Sequence, residues 1–132
     1  MPVQIILDTN FLLIPGQFRV DIFSELFRIC SFRYELCVLD SSIGELKGII
    51  GSANGRDKAA ARLALQLVKA KKVRILSPKT ATFKNVDETI IDLAAKNQAI
   101  AATQDKELRS RLRKLGAKVI VLRQKKYLEL LE

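Results

Sequence analysis

The sequence predicts an α/β fold: a three-layer α/β/α sandwich on a mainly parallel sheet of about five strands. Three observations predict it. Short, β-branched apolar runs alternate with amphipathic segments along the chain, those runs read as strands buried on both faces, and no linker or internal repeat interrupts them. With 132 residues, 48% of them apolar and 28% charged, the chain can bury one core without disulfides. A single domain over residues 1–132 is therefore expected.

The elements follow in order. Val3-Gln4-Ile5-Ile6-Leu7 reads as a buried strand ending at Asp8, and Pro15-Gly16 as a turn. From about Asp21 to Ser31, the residues Phe23, Leu26, Phe27 and Cys30 recur at helical spacing. Glu35 to Leu39 is the second strand, and a helix from Ser41-Ser42 carries Glu45, Leu46, Ile49 and Ile50 to Gly51. After a Ser52–Gly55 loop, Asp57 is expected to cap a long helix to about Lys71, with a wide apolar arc through Ala60, Leu63, Ala64, Leu67 and Val68. Val73 to Leu76 is the third strand, before Ser77-Pro78; Asp87 starts a helix with Ile90, Ile91, Leu93 and Ala94. Ala99 to Ala102 is a strand of small residues, Asp105 opens a helix that Gly116 stops, and Lys118 to Leu122 is the last strand. Tyr127 to Leu131 reads as a short tail helix.

Composition excludes several functions. No run of 18 apolar residues is present, so no membrane span is expected, and the opening stretch lacks the basic flank of a secretory signal. Histidine is absent, which excludes Ser-His-Asp triads, histidine-ligated metals and imidazole proton shuttles built from this chain alone. Cys30 and Cys37 have no CxxC spacing and read as buried thiols of a reducing, cytoplasmic compartment.

Lys and Arg total 23 against 14 acids, a formal charge of +9. The surplus is concentrated: from Lys106 to Lys126 stand nine bases (Lys106, Arg109, Arg111, Arg113, Lys114, Lys118, Arg123, Lys125, Lys126) and one acid, Glu107. Such a stretch suits a polyanion such as nucleic acid, since each neutralised phosphate releases counterions. A solvated helix face is the alternative, and +9 exceeds what solubility needs. With no Trp and 6% aromatics, contact with the backbone is expected rather than base stacking.

In parallel α/β sheets, ligands bind beyond the carboxyl ends of the strands at the topological switch point. Asp8 ends the first strand; Asp40 ends the second, with Glu45 a turn beyond. Asp105 follows the Ala99–Ala102 strand, and Asp87 begins the helix leading into it. Each acid also has a local explanation: an Asx turn at Asp8, a Ser42-x-x-Glu45 capping box, N-caps at Asp87 and Asp105. Together, four acids on one edge repel unless a cation compensates them, and oxygen-only ligands suit Mg²⁺ or Mn²⁺. Beside a basic surface, that cluster points to phosphodiester hydrolysis by one or two ions. Arg109 and Arg113, four apart on the basic helix, would hold flanking phosphates.

At these residues the chain resembles the PIN-domain family of metal-dependent ribonucleases over nearly its whole length. Asp8-Thr9-Asn10 is similar to the family's first motif, Ser42-Ile43-Gly44-Glu45-Leu46 to its second, Asp87-x-x-Ile90-x-x-x-Ala94 to its third, and Ala102-Thr103-Gln104-Asp105-Lys106-Glu107-Leu108-Arg109 to its fourth. No single motif is specific; four in order are. The resemblance implies Asp8, Glu45, Asp87 and Asp105 as catalytic metal ligands, Asn10 and Thr103 as supports, and Glu88 as a spare ligand or a further support. Lys106, Arg109 and Arg113 are expected RNA contacts. Asp92, five residues from Asp87, reads as surface.

The stretches Phe11–Phe18 and Thr103–Leu112 look most like archaeal relatives of the PIN nuclease of the small-ribosomal-subunit processome. That implies ribosomal RNA precursor as substrate and ribosome-assembly partners. A VapC-type toxin ribonuclease with an antitoxin partner is the alternative, as is a PIN-like module that binds RNA or protein without cutting. A homodimer is also expected by fold analogy, with Phe18 and Tyr127 exposed. A receiver-like phosphoacceptor domain is disfavoured, because the first strand ends in one acid and Val73–Leu76 runs into Ser77-Pro78-Lys79 without any.

Overall fold

The structure, a computed structural model, describes residues 1–52, 54–78 and 85–132. Ala53 of the expected loop, and residues 79–84 including Lys79, lie outside the described residues.

Strands β1 (Val3–Leu7), β2 (Tyr34–Leu39), β3 (Arg74–Leu76), β4 (Ile100–Ala102), β5 (Val119–Arg123) and β6 (Tyr127–Leu131) form one sheet in the order β3-β2-β1-β4-β5-β6. All neighbours are parallel except β5 and β6. The chain leaves β1 towards β2 and β3, then crosses back to place β4 on the other side of β1. The switch point therefore lies between β1 and β4, where Leu7 pairs with Ala102 and the Asp8 N–H donates to the Ala102 carbonyl at 2.9 Å.

Alternation in β1 sorts the core. Ile5 and Leu7 face one layer with Phe11, Ile14, Ile22, Leu26, Leu46 and Ala64. Ile6 faces the other with Ile90, Ala94, Leu108 and Leu112. The first layer is α1 (Thr9–Leu12), α2 (Ile14–Phe18), α3 (Ile22–Ile29), α4 (Asp40–Ser52) and α5 (Gly55–Ala70); the second is α6 (Val86–Asn97) and α7 (Lys106–Lys114). Strand segments covered on both faces, such as Ile5–Leu7, Cys37–Leu39 and Ile100–Ala102, are continuously apolar, which makes these runs readable in the sequence.

Three elements differ from the sequence expectation. Pro15-Gly16 is not a turn: Pro15 occupies the first turn of α2, where its missing N–H costs nothing, and a Cβ on Gly16 would lie 2.5 Å from the Ala60 Cα of α5. The glycine is there for a close helix approach. Tyr127–Leu131 is a strand, not a helix, because five residues gain more from the β5 ladder than from an isolated helical turn. Its hairpin escaped notice since Gln124 and Lys125, at φ 52° and 54°, make the turn without Gly or Asn. Finally, α5 is entered from Asn54, with Asp57 in its first turn rather than capping it.

Phe27 does not share the buried face of α3; it is 79% exposed. Phe18 is half-buried with the Lys125 ammonium 5.7 Å from its ring centroid, while Tyr127 is exposed. No described helix is long and apolar enough to cross a membrane.

Candidate active site

Asp8 sits where β1 gives way to α1 and is 4% exposed. Its Oδ1 accepts from the Thr9 N–H at 2.8 Å, capping α1, and its Oδ2 accepts from the Thr103 hydroxyl at 2.6 Å. Burial pushes this carboxyl up to about 6, offset in part by those two hydrogen bonds and reinforced by the nearby charges of Asp87 and Glu45.

Glu45 reaches the same place from α4. The Thr9 hydroxyl donates to its Oε1 at 2.5 Å, so one residue's amide holds Asp8 and its side chain holds Glu45. The capping box does not form: α4 begins at Asp40, which puts Ser42 a turn inside the helix, fully buried. Among the described residues its hydroxyl has no hydrogen-bond partner. Asp40 itself is exposed.

Asp87 lies in the first turn of α6, whose cap is Asn85, with its Oδ1 accepting from the Glu88 N–H at 2.9 Å. Freed from capping, Asp87 is half-buried. Its carboxyl is raised by burial first, then by the charges of Asp105 and Glu45, against an opposing pull from Arg111. Asp105 does cap its helix: Oδ1 accepts from Glu107 N–H at 2.9 Å and Leu108 N–H at 3.1 Å.

The loop between β4 and α7 is locked onto the first motif. The Thr103 hydroxyl that donates to Asp8 also accepts from the Asp105 N–H at 3.0 Å. Asn10 Oδ1 accepts from the Gln104 N–H at 3.1 Å, and Gln104 Nε2 donates to the Asn10 carbonyl at 2.7 Å.

The fold thus gathers Asp8, Glu45, Asp87 and Asp105 within electrostatic reach at one edge of the sheet. The donors are all oxygen, and neighbouring carboxylates add to the rise at Asp8 and Asp87, which fits a hard divalent cation. Among the described residues, no three acids already close around an ion: several of their oxygens are committed to Thr9, Thr103 and the α7 amides. Holding one would require side-chain rotations, with the backbone positions already set.

Other expected residues fall elsewhere. Glu88 pairs with Arg111 Nη1 at 2.8 Å, and Asp92 is half-buried rather than plainly on the surface. Lys106 and Arg109 stand at the start of α7 near the acids. Arg113 lies at its other end, where Nη1 donates to the Glu132 carbonyl at 2.7 Å. Since Leu131 pairs with Val119 at the start of β5, Arg113 is at the amino edge of the sheet, away from the acids. Sequence reading missed the linking role of the Thr9 hydroxyl, although the residue stands in the first motif. It also missed Arg111 as the cation facing Asp87 and Glu88; its i+4 spacing from Glu107 was the only signal.

A family profile described as a PIN like domain matches residues 5–125. Ribonuclease VapC4 of Methanocaldococcus jannaschii is 35% identical over 130 residues, covering 96% of this chain and 95% of that protein. Among solved structures, that of the PIN domain endonuclease Utp24 matches with a TM-score of 0.76 at 25% identity, over 98% of this chain and 91% of that one. A domain of a functionally unknown protein from Methanocaldococcus jannaschii matches at 0.58 and 14% identity, over 92% and 91%. That last likeness is one of fold alone.

Proposed function

Because the chain belongs to the PIN-like domain family, we propose that it is a ribonuclease that hydrolyses RNA phosphodiester bonds with Mg²⁺ or Mn²⁺. The observation that carries this reading is Asp8: a carboxylate buried at the switch point and pushed up to about 6 by burial, with Asp87 and Glu45 adding to the push. Such a group is costly to the fold unless a cation relieves it.

In this reading Asp8, Glu45, Asp87 and Asp105 would hold a divalent ion, which when bound would supply Lewis-acid activation of water and charge relief at the phosphate. The chain's own residues orient the acids and the substrate. Thr103 fixes Asp8, Thr9 fixes Glu45, and Asn10 holds the Thr103–Asp105 segment in register through Gln104. Lys106 and Arg109 hold the RNA backbone beside them. Arg113 is too far along α7 to touch the same phosphates.

For the substrate we take ribosomal RNA precursor, on the motif resemblance to the processome branch; the likeness to the PIN domain endonuclease Utp24 supports internal cleavage of the strand. The 35% identity to Ribonuclease VapC4 supports a second reading, a VapC-type toxin held by an antitoxin. The deciding experiment incubates wild type and Asp8→Asn with precursor ribosomal RNA and unrelated RNA in Mn²⁺ or Mg²⁺. Wild type is expected to cut and the variant to bind without cutting. Equal cleavage by both would reject the assignment of Asp8; no cleavage by wild type would favour a binding module. Growth arrest on expression, relieved by a neighbouring gene's product, would favour the toxin reading.

A further inference from the structure

Next to the acids is a cavity of about 310 Å³, lined by Thr103, Gln104, Lys106, Arg109 and Arg123 with two apolar residues of β5. We propose that this cavity is a phosphate subsite for the RNA strand, seating the backbone phosphate beside the cleaved bond. The ligand class rests on the ribonuclease reading above; the subsite itself rests on three other observations.

The first is charge. Three cations line the cavity and no carboxylate does. A cavity of similar size, about 320 Å³, also draws on the β5–β6 turn, but there Asp21 and Glu25 offset Arg19, Lys125 and Lys126. The first therefore carries a net +3 and the second a net +1. Among the described residues neither Lys106 nor Arg109 joins an ion pair. Arg123 is paired with Glu129 at 2.7 Å through Nε, which steadies the guanidinium while its two terminal nitrogens remain for a phosphate.

The second is position. Thr103 belongs to both places: it lines the cavity, and its hydroxyl donates to Asp8 at 2.6 Å. A strand whose reacting phosphate lies at the acids has its neighbour at the cavity. The volume, at the small end of ligand pockets, admits one nucleotide step and no duplex.

The third is strain. Gln124 and Lys125 are both left-handed, at φ 52° and 54°, and the turn is closed by the Lys126 N–H donating to the Arg123 carbonyl at 2.9 Å. Non-glycine residues adopt that region rarely and at a cost. The strained turn ends β5 at Arg123 and so sets that side chain at the carboxyl edge.

The test measures binding of a fluorescent single-stranded RNA by anisotropy over a salt series with EDTA present, so that cleavage does not intervene. Arg109→Gln and Arg123→Gln are each expected to weaken binding about tenfold and to make the slope of log affinity against log salt shallower by about 0.7. Arg33→Gln, whose residue precedes β2 at the opposite edge, is expected to change neither. Wild-type affinity and slope in Arg123→Gln would overturn the subsite, even if the protein cuts RNA. Shallower slopes in a protein that never cuts would uphold it while the ribonuclease reading fails. On RNA that wild type cuts, a neutral methylphosphonate beside the cleaved bond should weaken wild type more than Arg123→Gln, which has already lost one of the three cations that line the cavity; equal weakening of both overturns the placement.

Discussion

The Thr103 hydroxyl donates to Asp8 Oδ2 at 2.6 Å and accepts the Asp105 N–H at 3.0 Å, so one side chain ties the end of β1 to the start of α7. These residues are 95 positions apart, and the register that pairs Leu7 with Ala102 is what brings them together. The bond also holds the Asp8 carboxyl lower than burial alone would leave it. Thr103→Val nearly keeps the volume and removes the hydroxyl, with its bonds to Asp8 and Asp105 and its longer contact to Asn10 at 3.4 Å. Cleavage and divalent-ion affinity should fall about 10- to 100-fold, as for other groups that orient a metal ligand. The acid limb of the pH–rate profile should move to higher pH, because a carboxylate that loses a donor is harder to ionise. An unmoved acid limb in Thr103→Val would show that the bond does not tune Asp8.

Asp8 sets a stability trade. Its folded value of about 6 lies above the ordinary 3.8, so the metal-free folded state binds the proton more tightly than the unfolded chain does. The associated stability is fully present below about pH 3.8 and is lost as pH rises through about 6. At pH 7.5 the ionised carboxylate is therefore a burden of order 1–3 kcal/mol on the metal-free protein. Asp8→Asn should abolish cleavage yet raise the melting temperature in EDTA at pH 7.5 by several degrees, with the gain shrinking towards pH 4.5. Calorimetric scans at the two pH values check it, and a variant less stable than wild type at pH 7.5 would contradict the burial argument.

Packing supplies a prediction independent of function. On Gly16 a Cβ would stand 2.5 Å from the Ala60 Cα and 2.7 Å from its Cβ, and a backbone atom cannot swing aside. Gly16→Ala should cost about 1–3 kcal/mol by urea denaturation, despite the better helix propensity of alanine. Gly44→Ala, with nothing within 4 Å, should be neutral or stabilising.

These same residues show what was legible beforehand. The β1 strand reads directly because Ile5, Ile6 and Leu7, buried on both faces, form an unbroken apolar run, and Asp8 stands out as the first charge after it. The four acids could be nominated because strand ends predict an edge, but their distances could not. Whether Asp105 caps α7 or faces Asp87 is a matter of side-chain rotation, and it does both. Helices α1 and α2, of four and five residues, are too short to show a period, and Gly16 imitates a breaker while serving a contact with a residue 44 positions away. β6 was hidden by a turn made from Gln124 and Lys125, residues that carry no turn signature. Thr9 and Arg111 were missed because a hydroxyl or a guanidinium acquires its role only from the partner that the tertiary fold brings to it.

Arg111 tests the electrostatics of the acid edge from the opposite direction. It pairs with Glu88 at 2.8 Å and its charge draws the Asp87 carboxyl down, so it competes with a divalent ion for the same negative field. Two effects of Arg111→Gln oppose each other. Losing the cation makes Asp87 easier to protonate, which hinders metal binding, and it removes a charge that repels the ion, which helps. At pH 8 carboxylates are ionised with or without Arg111, so only the second effect remains. Mn²⁺ affinity at pH 8 should then rise about two- to fivefold, the scale of an exposed charge interaction. The gain should shrink as pH falls, because protonation of Asp87 then costs the variant more than wild type, and it should fade in high salt. Calorimetric titration of Mn²⁺ at two pH values and two salt concentrations reads all three. Weaker Mn²⁺ binding by Arg111→Gln at pH 8 would mean that the ion does not bind beside Asp87.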